Sequence, residues 1–282
     1  MKILVTGVNG QLGYDVIKRF KNNNIEYKGC DIDSFDLTSK EQTIKAITEY
    51  RPDAVIHCAA YTAVDNAEDN KEVCYNVNVS GTRHVAEACK EIDAKMIYIS
   101  TDYVFDGTGT EPYKVTDKKN PVNYYGETKS ISEDIVAELL SKYFIIRTSW
   151  VFGVNGNNFV KTILRLGKER KQINVVNDQY GSPTYTYDLA MLIADMVHTN
   201  KYGIYHASNE GYCSWFEFAR EITTVAKLDC NISPISTSEY PTKAKRPFNS
   251  RLDKTTLDEN GFNRLPLWKE SLLGYCQHIA QK

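Results

Sequence analysis

The chain has 282 residues, of which 42% are hydrophobic and 25% charged, and a formal net charge of −2. That length buries a full core, as one large domain or two small ones. The charge balance excludes electrostatic capture by nucleic acid or by an anionic membrane surface. No apolar run approaches the roughly 18 residues that span a bilayer. The start "MKILVTGVNG" passes from one lysine and a short apolar run into a glycine loop, which is not the pattern of a signal peptide. Seven cysteines without a CxxC spacing read as reduced thiols, mostly core filler, and point to the cytoplasm.

In chain order, "KILVTG" reads as a buried strand and "QLGYDVIKRF" as a helix with Leu12, Val16, Ile17 and Phe20 on one face. "EYKGCD" is a second strand, "KEQTIKAITEY" a helix and "DAVIHCAA" a third strand. "EVCYNVNVSGTRHVAEACKEI" is a long helix and "KMIYIST" a fourth strand. A helix carrying "YYGETK" and a fifth strand, "YFIIRTSW", follow. This alternation predicts an α/β fold: a Rossmann-like, doubly wound parallel sheet with right-handed crossovers and ligands at the strands' carboxyl ends. After about Trp150 the pattern loosens. "NNFVKTILRLGKER", "YTYDLAMLIADMVH", "SWFEFAREITTVAKL" (with Ser214 as N-cap) and "LWKESLLGYCQHIA" read as helices, and "QINVVND" and "GIYHASN" as strands. The tail from Asn231 reads as irregular. The expected organisation is a dinucleotide-binding domain over 1–150 with returning segments near 171–210, and a smaller, discontinuous C-terminal substrate lobe from 151–170 and 211–282.

Between the first strand and first helix, "TGVNGQLG" sets Gly7, Gly10 and Gly13 in a GxxGxxG pattern. Glycine there permits a tight turn, a close approach of backbone to pyrophosphate, and phosphate binding at the helix N-terminus. Asp31 ends the second strand and Asp36 lies in the loop beyond. Either carboxylate can hold the adenosine ribose or contact the adenine side, and no neighbouring Arg invites a 2′-phosphate, which leans toward NADH. Ala59 and Ala60 end the third strand with small side chains that let a cofactor lie against it, or that simply pack tightly. In "YYGETK", Tyr125 and Lys129 are four apart and share a helical face, while Tyr124 points elsewhere. An ammonium beside a phenol is expected to lower its pKa toward the working range of an acid catalyst. Ordinary helices carry the same pair, so the spacing alone leaves the role open.

The loop pattern, "STDYVFDG" after the fourth strand, and "PVNYYGETK" together resemble the extended short-chain dehydrogenase/reductase family. Within it, "AAYTAVDNAE", "RTSWVFG", "NNFVKTILRL", "DQYGSPT", "SWFEFAREI" and "RPFNSRLD" are similar to the reductases of dTDP-L-rhamnose synthesis, over almost the whole chain. The resemblance implies NADH- or NADPH-dependent reduction of dTDP-4-dehydro-β-L-rhamnose, with Thr101, Tyr125 and Lys129 catalytic. It implies a cofactor site of Gly7, Asn9, Gly10, Gln11, Leu12, Asp31, Asp36, Leu37, Ala59, Ala60 and Tyr61, completed by Tyr125 and Lys129. Substrate contacts are implied for Thr101, Asp102, Tyr103, Trp150, Asn157 and Asn158. Arg251 is expected either to grip the diphosphate bidentately or to pair with a carboxylate. Trp150 has core packing as its alternative.

Some relatives bridge a homodimer through glutamate-held magnesium. Asp15 and Tyr187 stand at the corresponding helix positions here, so no metal is assigned and a homodimer is an expectation only. Another nucleotide-sugar ketoreductase or epimerase, or a non-catalytic regulatory subunit, are the competing readings. A dehydratase is disfavoured because Asp102 is followed by Tyr103, where that chemistry needs a glutamate.

Overall fold

The computed structural model describes residues 1–23 and 25–280. Four aliphatic-rich residues form strand β1 (Ile3–Thr6), buried throughout because helices cover the sheet on both faces. Helix α1 (Gln11–Asn22) follows, then β2 (Tyr27–Cys30), α2 (Lys40–Tyr50), β3 (Ala54–His57) and a short α3 (Val64–Asp69). The long helix expected from the sequence is present with an irregularity inside it. Segments α4 (Lys71–Tyr75) and α5 (Gly81–Glu91) are joined by a π-helical turn over Asn76–Ser80. Next come β4 (Lys95–Thr101), α6 (Tyr124–Leu139) and β5 (Tyr143–Thr148).

The remaining elements are β6 (Val151–Phe152), α7 (Phe159–Glu169), β7 (Gln172–Val176), β8 (Tyr180–Gly181), β9 (Thr184–Tyr185), α8 (Thr186–Val197) and β10 (Gly203–His206). They continue through β11 (Cys213–Ser214), α9 (Trp215–Val225), β12 (Asn231–Ile235), β13 (Asn249–Ser250), α10 (Thr255–Glu259) and α11 (Trp268–Ala280). No helix among the described residues is long and apolar enough to cross a membrane.

The main sheet has the order β10-β5-β4-β3-β1-β2, with every pairing parallel. One face is covered by α1 and α8, where Val16 and Phe20 meet Leu189, Ile193 and Met196. The other is covered by α2, α5 and α6, through Ile47, Val85, Ala88 and Val136. Chain direction across the sheet reverses between β1 and β3, and the crevice at their carboxyl ends is where such sheets bind nucleotides.

Two boundaries differ from the sequence reading. The strand at Gln172–Val176 does not return to the main sheet; it pairs with β12, so the return begins only at α8. The tail from Asn231 is not wholly irregular, because β12 forms there despite Pro234. A two-stranded sheet has an open edge where the missing N–H costs no ladder bond. Conversely, Leu257, Phe262 and Leu265 from the expected lobe pack into the core beneath the main sheet. The lobe has its own core, centred on Phe152, Ile163, Phe218, Leu272 and Tyr275.

A buried ion pair ties α6 to the sheet. Arg147 of β5 and Glu133 are both 2% exposed, with Nε donating to Oε1 at 2.9 Å and Nη2 to Oε2 at 2.8 Å. Ser100 donates to the same Oε1 at 2.6 Å, and the guanidinium lies over the Phe105 ring. His206, 3.3 Å from Arg147, is pushed down to about 3 by burial and by that cation, so it is neutral.

Candidate active site

Helix α6 begins where Asn123 caps it, its side chain accepting from Gly126 N at 2.8 Å. A Cβ on Gly126 would lie 2.2 Å from the Tyr103 carbonyl, so only glycine lets the helix start press onto the segment after β4. That contact brings Tyr125 and Lys129 beside Thr101, the last residue of β4. Tyr124 sits outside, with Lys71 Nζ over its ring at 5.0 Å. On the opposite wall Gly7 adopts φ 70°, and a Cβ there would meet Ala59 N at 2.6 Å. Gly10, at the N-cap of α1, supplies no side-chain cap, which leaves the first-turn amides directed at any anion placed there.

These walls enclose one cavity of about 830 Å³. Gly7, Asn9, Gly10, Gln11, Leu12, Asp31, Asp36, Leu37, Ala59 and Ala60 line it at one end. Thr101, Asp102, Tyr103, Tyr125, Lys129, Trp150, Asn157 and Asn158 line the rest. Two residues named from the sequence are not in its wall. Tyr61 is held by its backbone instead, its N–H donating to Asn78 Oδ1 at 2.8 Å. Arg251 donates to Asn249 Oδ1 at 3.1 Å and lies over the Tyr180 ring, and no carboxylate among the described residues pairs with it. Sequence reasoning missed Trp215, which lines the cavity, and Arg246, which donates to the Tyr103 hydroxyl at 3.2 Å and to Asp65 at 2.5 Å. "SWFEFAREI" signals a capped helix but not what its first aromatic faces, and Arg246 reaches its partners from far along the chain.

The electrostatics correct one expectation. The Tyr125 pKa is not lowered toward the working range: burial raises it, the Asp102 charge adds to that, and Thr101 opposes it. Lys129 donates to the Ile99 carbonyl at 2.7 Å and is itself pushed down to about 7 by burial, with Glu133 opposing. Burial thus outweighs the helical pairing in setting where Tyr125 titrates. Lys129 is also the only lysine or arginine lining the cavity among the described residues.

The two carboxylates near the glycine loop are already engaged. Asp31 accepts from Asn9 N at 2.9 Å and thereby braces the loop, while Asp36 accepts from both the N–H and hydroxyl of Thr38 at 2.8 Å. Asp15 is buried and accepts a hydrogen bond from the Thr186 hydroxyl, whereas Tyr187 is 40% exposed.

Asp102 is 3% exposed and takes a hydrogen bond from Thr101 Oγ1 at 3.1 Å. Burial lifts it to about 6, against hydrogen bonds from Ser250 and Thr101. The folded value exceeds the ordinary carboxylate value, so the native state is favoured below about pH 4 and loses that advantage as pH rises through about 6. Asp102→Asn is therefore expected to be more stable than wild type at pH ~8, by at most roughly 3 kcal/mol, with the gap closing below pH ~4. Urea midpoints across that range read it; a gap that widens in acid would contradict it.

A family model described as RmlD substrate binding domain matches residues 1–281. The chain belongs to that family. It is 41% identical to dTDP-4-dehydrorhamnose reductase of Aggregatibacter actinomycetemcomitans, over 92% of each chain. It is 38% identical to spore coat polysaccharide biosynthesis protein SpsK of Bacillus subtilis (strain 168), over 98% of this chain and 97% of that one. A crystal structure of dTDP-4-dehydrorhamnose reductase from Bacillus anthracis str. Ames, in complex with NADP, superposes with a TM-score of 0.96. It is 45% identical, covering 98% of this chain and 99% of that one. Membership of the RmlD family accounts for the later lobe as well as the nucleotide fold, since the match runs through both.

Proposed function

We propose that this protein is the NAD(P)H-dependent reductase that converts dTDP-4-dehydro-β-L-rhamnose to dTDP-L-rhamnose. The observation that carries the reading is the convergence of Thr101, Tyr125 and Lys129 with the glycine loop in one cavity, in a chain whose relatives are named for this reaction. A dinucleotide fits the residues present: Gly7 and Gly10 put backbone without side chains in the cavity wall, and the uncapped start of α1 suits a pyrophosphate. When bound, the cofactor supplies the hydride.

The chain's own residues handle the proton. Burial keeps the Tyr125 phenol protonated at neutral pH, as a proton donor must be, and it gives its proton to the carbonyl oxygen as negative charge develops there. Thr101 Oγ1, held by Tyr103 N at 3.2 Å, turns its hydroxyl hydrogen from Asp102 Oδ1 to the same oxygen and orients it. Lys129, which lines the same cavity, would hold the nicotinamide ribose and would return a proton toward Tyr125. Tyr103 is pushed up to about 12 by burial, against Arg246, so it stays protonated and cannot abstract a C5 proton as a dehydratase base would. The product feeds cell-surface polysaccharide, consistent with a relative named for spore coat polysaccharide. A cytoplasmic setting fits seven cysteines that are all free thiols.

The test is one assay pair. Stoichiometric NADH or NADPH consumption with dTDP-4-dehydrorhamnose, and no keto sugar from dTDP-glucose with NAD⁺, is expected. A 4-keto-6-deoxy product without net cofactor change would sink the reductase reading. On cofactor choice, the two acidic residues at the adenosine end and the lack of a lining cation beside them favour NADH, with NADPH tolerated. Asp31→Ala is expected to shift the kcat/KM ratio toward NADPH. A wild-type preference for NADPH of about a hundredfold or more would contradict the role given to these carboxylates.

A further inference from the structure

Trp150 and Trp215 line the cavity together, and their rings are stacked with centroids 3.7 Å apart and planes 12° apart. The two come from different parts of the fold. Trp150 lies just beyond β5 of the main sheet, and Trp215 is the first residue of α9 in the lobe. Trp150 has φ 50°, a left-handed backbone that a bulky side chain disfavours and that persists only where surroundings impose it. Its indole also occupies the space that a Cβ on Gly181 would need, 2.8 Å from Trp150 Cε2.

Trp215 is fixed from behind. Ser214 and Glu217 close a capping box around the helix start, and Ser214 Oγ donates to Asn177 Oδ1 at 2.7 Å. The Phe159 ring packs on Trp215 at 4.6 Å. A rigid aromatic is thus presented to a strained one across the junction of sheet and lobe. The stack involves none of the residues that move the proton.

Resting on the reductase reading above, we infer that Trp215 is a positioning residue of this site: it fixes the plane in which Trp150 meets the keto-sugar nucleotide. Aromatic stacking of this geometry predicts an effect of about five- to tenfold on substrate recognition. The chemical step is expected to be nearly untouched, because Tyr125, Thr101 and Lys129 keep their own supports.

Two indoles stacked this closely give an exciton couplet in circular dichroism, which reports the pair directly. For Trp215→Leu we expect the couplet to vanish and KM for dTDP-4-dehydrorhamnose to rise about five- to tenfold. Turnover and NADH affinity stay near wild type. Trp215→Phe, which keeps an aromatic face, is expected to hold KM within about twofold. Loss of the couplet with an unchanged KM would overturn the inference. So would a joint fall in KM performance, NADH affinity and melting temperature that Trp215→Phe fails to rescue, since that marks a merely structural residue. Wild-type protein that consumes no NADH with the keto sugar would overturn the reductase reading itself, and is recognised before any variant is compared.

Discussion

Tyr125→Phe is expected to lower turnover by about 10²- to 10⁴-fold while NADH affinity stays within a few fold. The substitution removes one oxygen and leaves the helix, its Asn123 cap and the glycine loop unchanged. The phenol is buried in the cavity wall that Thr101 also lines, and its raised pKa keeps a proton available at neutral pH. Of the two hydroxyls beside it, Thr101 donates to Asp102 and the Tyr103 oxygen is held by Arg246. Tyr124→Phe is the control, since that ring lies outside the cavity under Lys71. Steady-state kinetics beside a fluorescence titration with NADH separates turnover from binding. If Tyr124→Phe were the crippling change and Tyr125→Phe harmless, the proton donor has been assigned to the wrong tyrosine.

The second large effect is on stability. Arg147→Met is expected to cost about 3–5 kcal/mol, because it strands the Glu133 carboxylate in the interior without its bidentate partner. Lys119 Nζ, 3.6 Å from Glu133 Oε2, offers partial relief and places the loss near the lower end of that range. The paired variant Arg147→Met with Glu133→Leu removes both charges and is expected to recover most of the loss. Urea unfolding of the single and double variants gives the comparison. A single variant within about 1 kcal/mol of wild type would mean that water or Lys119 already compensates the carboxylate.

Much of the nucleotide half is legible from local pattern. The strand–glycine–helix sequence around Gly7 and the four-residue spacing of Tyr125 and Lys129 each describe short-range geometry, and both are found in the cavity wall. What stayed hidden depends on partners distant in sequence. Strand β12 forms only because β7 is there to pair with it, and nothing in "NISPI" announces that partner. The π turn at Asn76–Ser80 keeps helical periodicity on either side, so the pattern reads through it. There Asn78 ties Tyr61 to Thr128, a junction that no local signal marks. Tyr125 shows a different gap. Spacing gives the right neighbour, but the sign of the pKa shift belongs to burial, which a helical wheel does not contain.

The late arrival of β10 at the edge of the main sheet bears on how the protein is made. On the ribosome, β5 is completed while Gly203–His206 is still unsynthesised, and at roughly 5–20 residues per second that interval lasts several seconds. Through it the nascent sheet shows a bare row of peptide groups along Tyr143–Thr148, flanked by apolar side chains that α8 has yet to cover. A truncated product ending near Trp150 carries that exposed row permanently, so it will be recovered as aggregate or bound to chaperones. Released full-length chain closes the row itself.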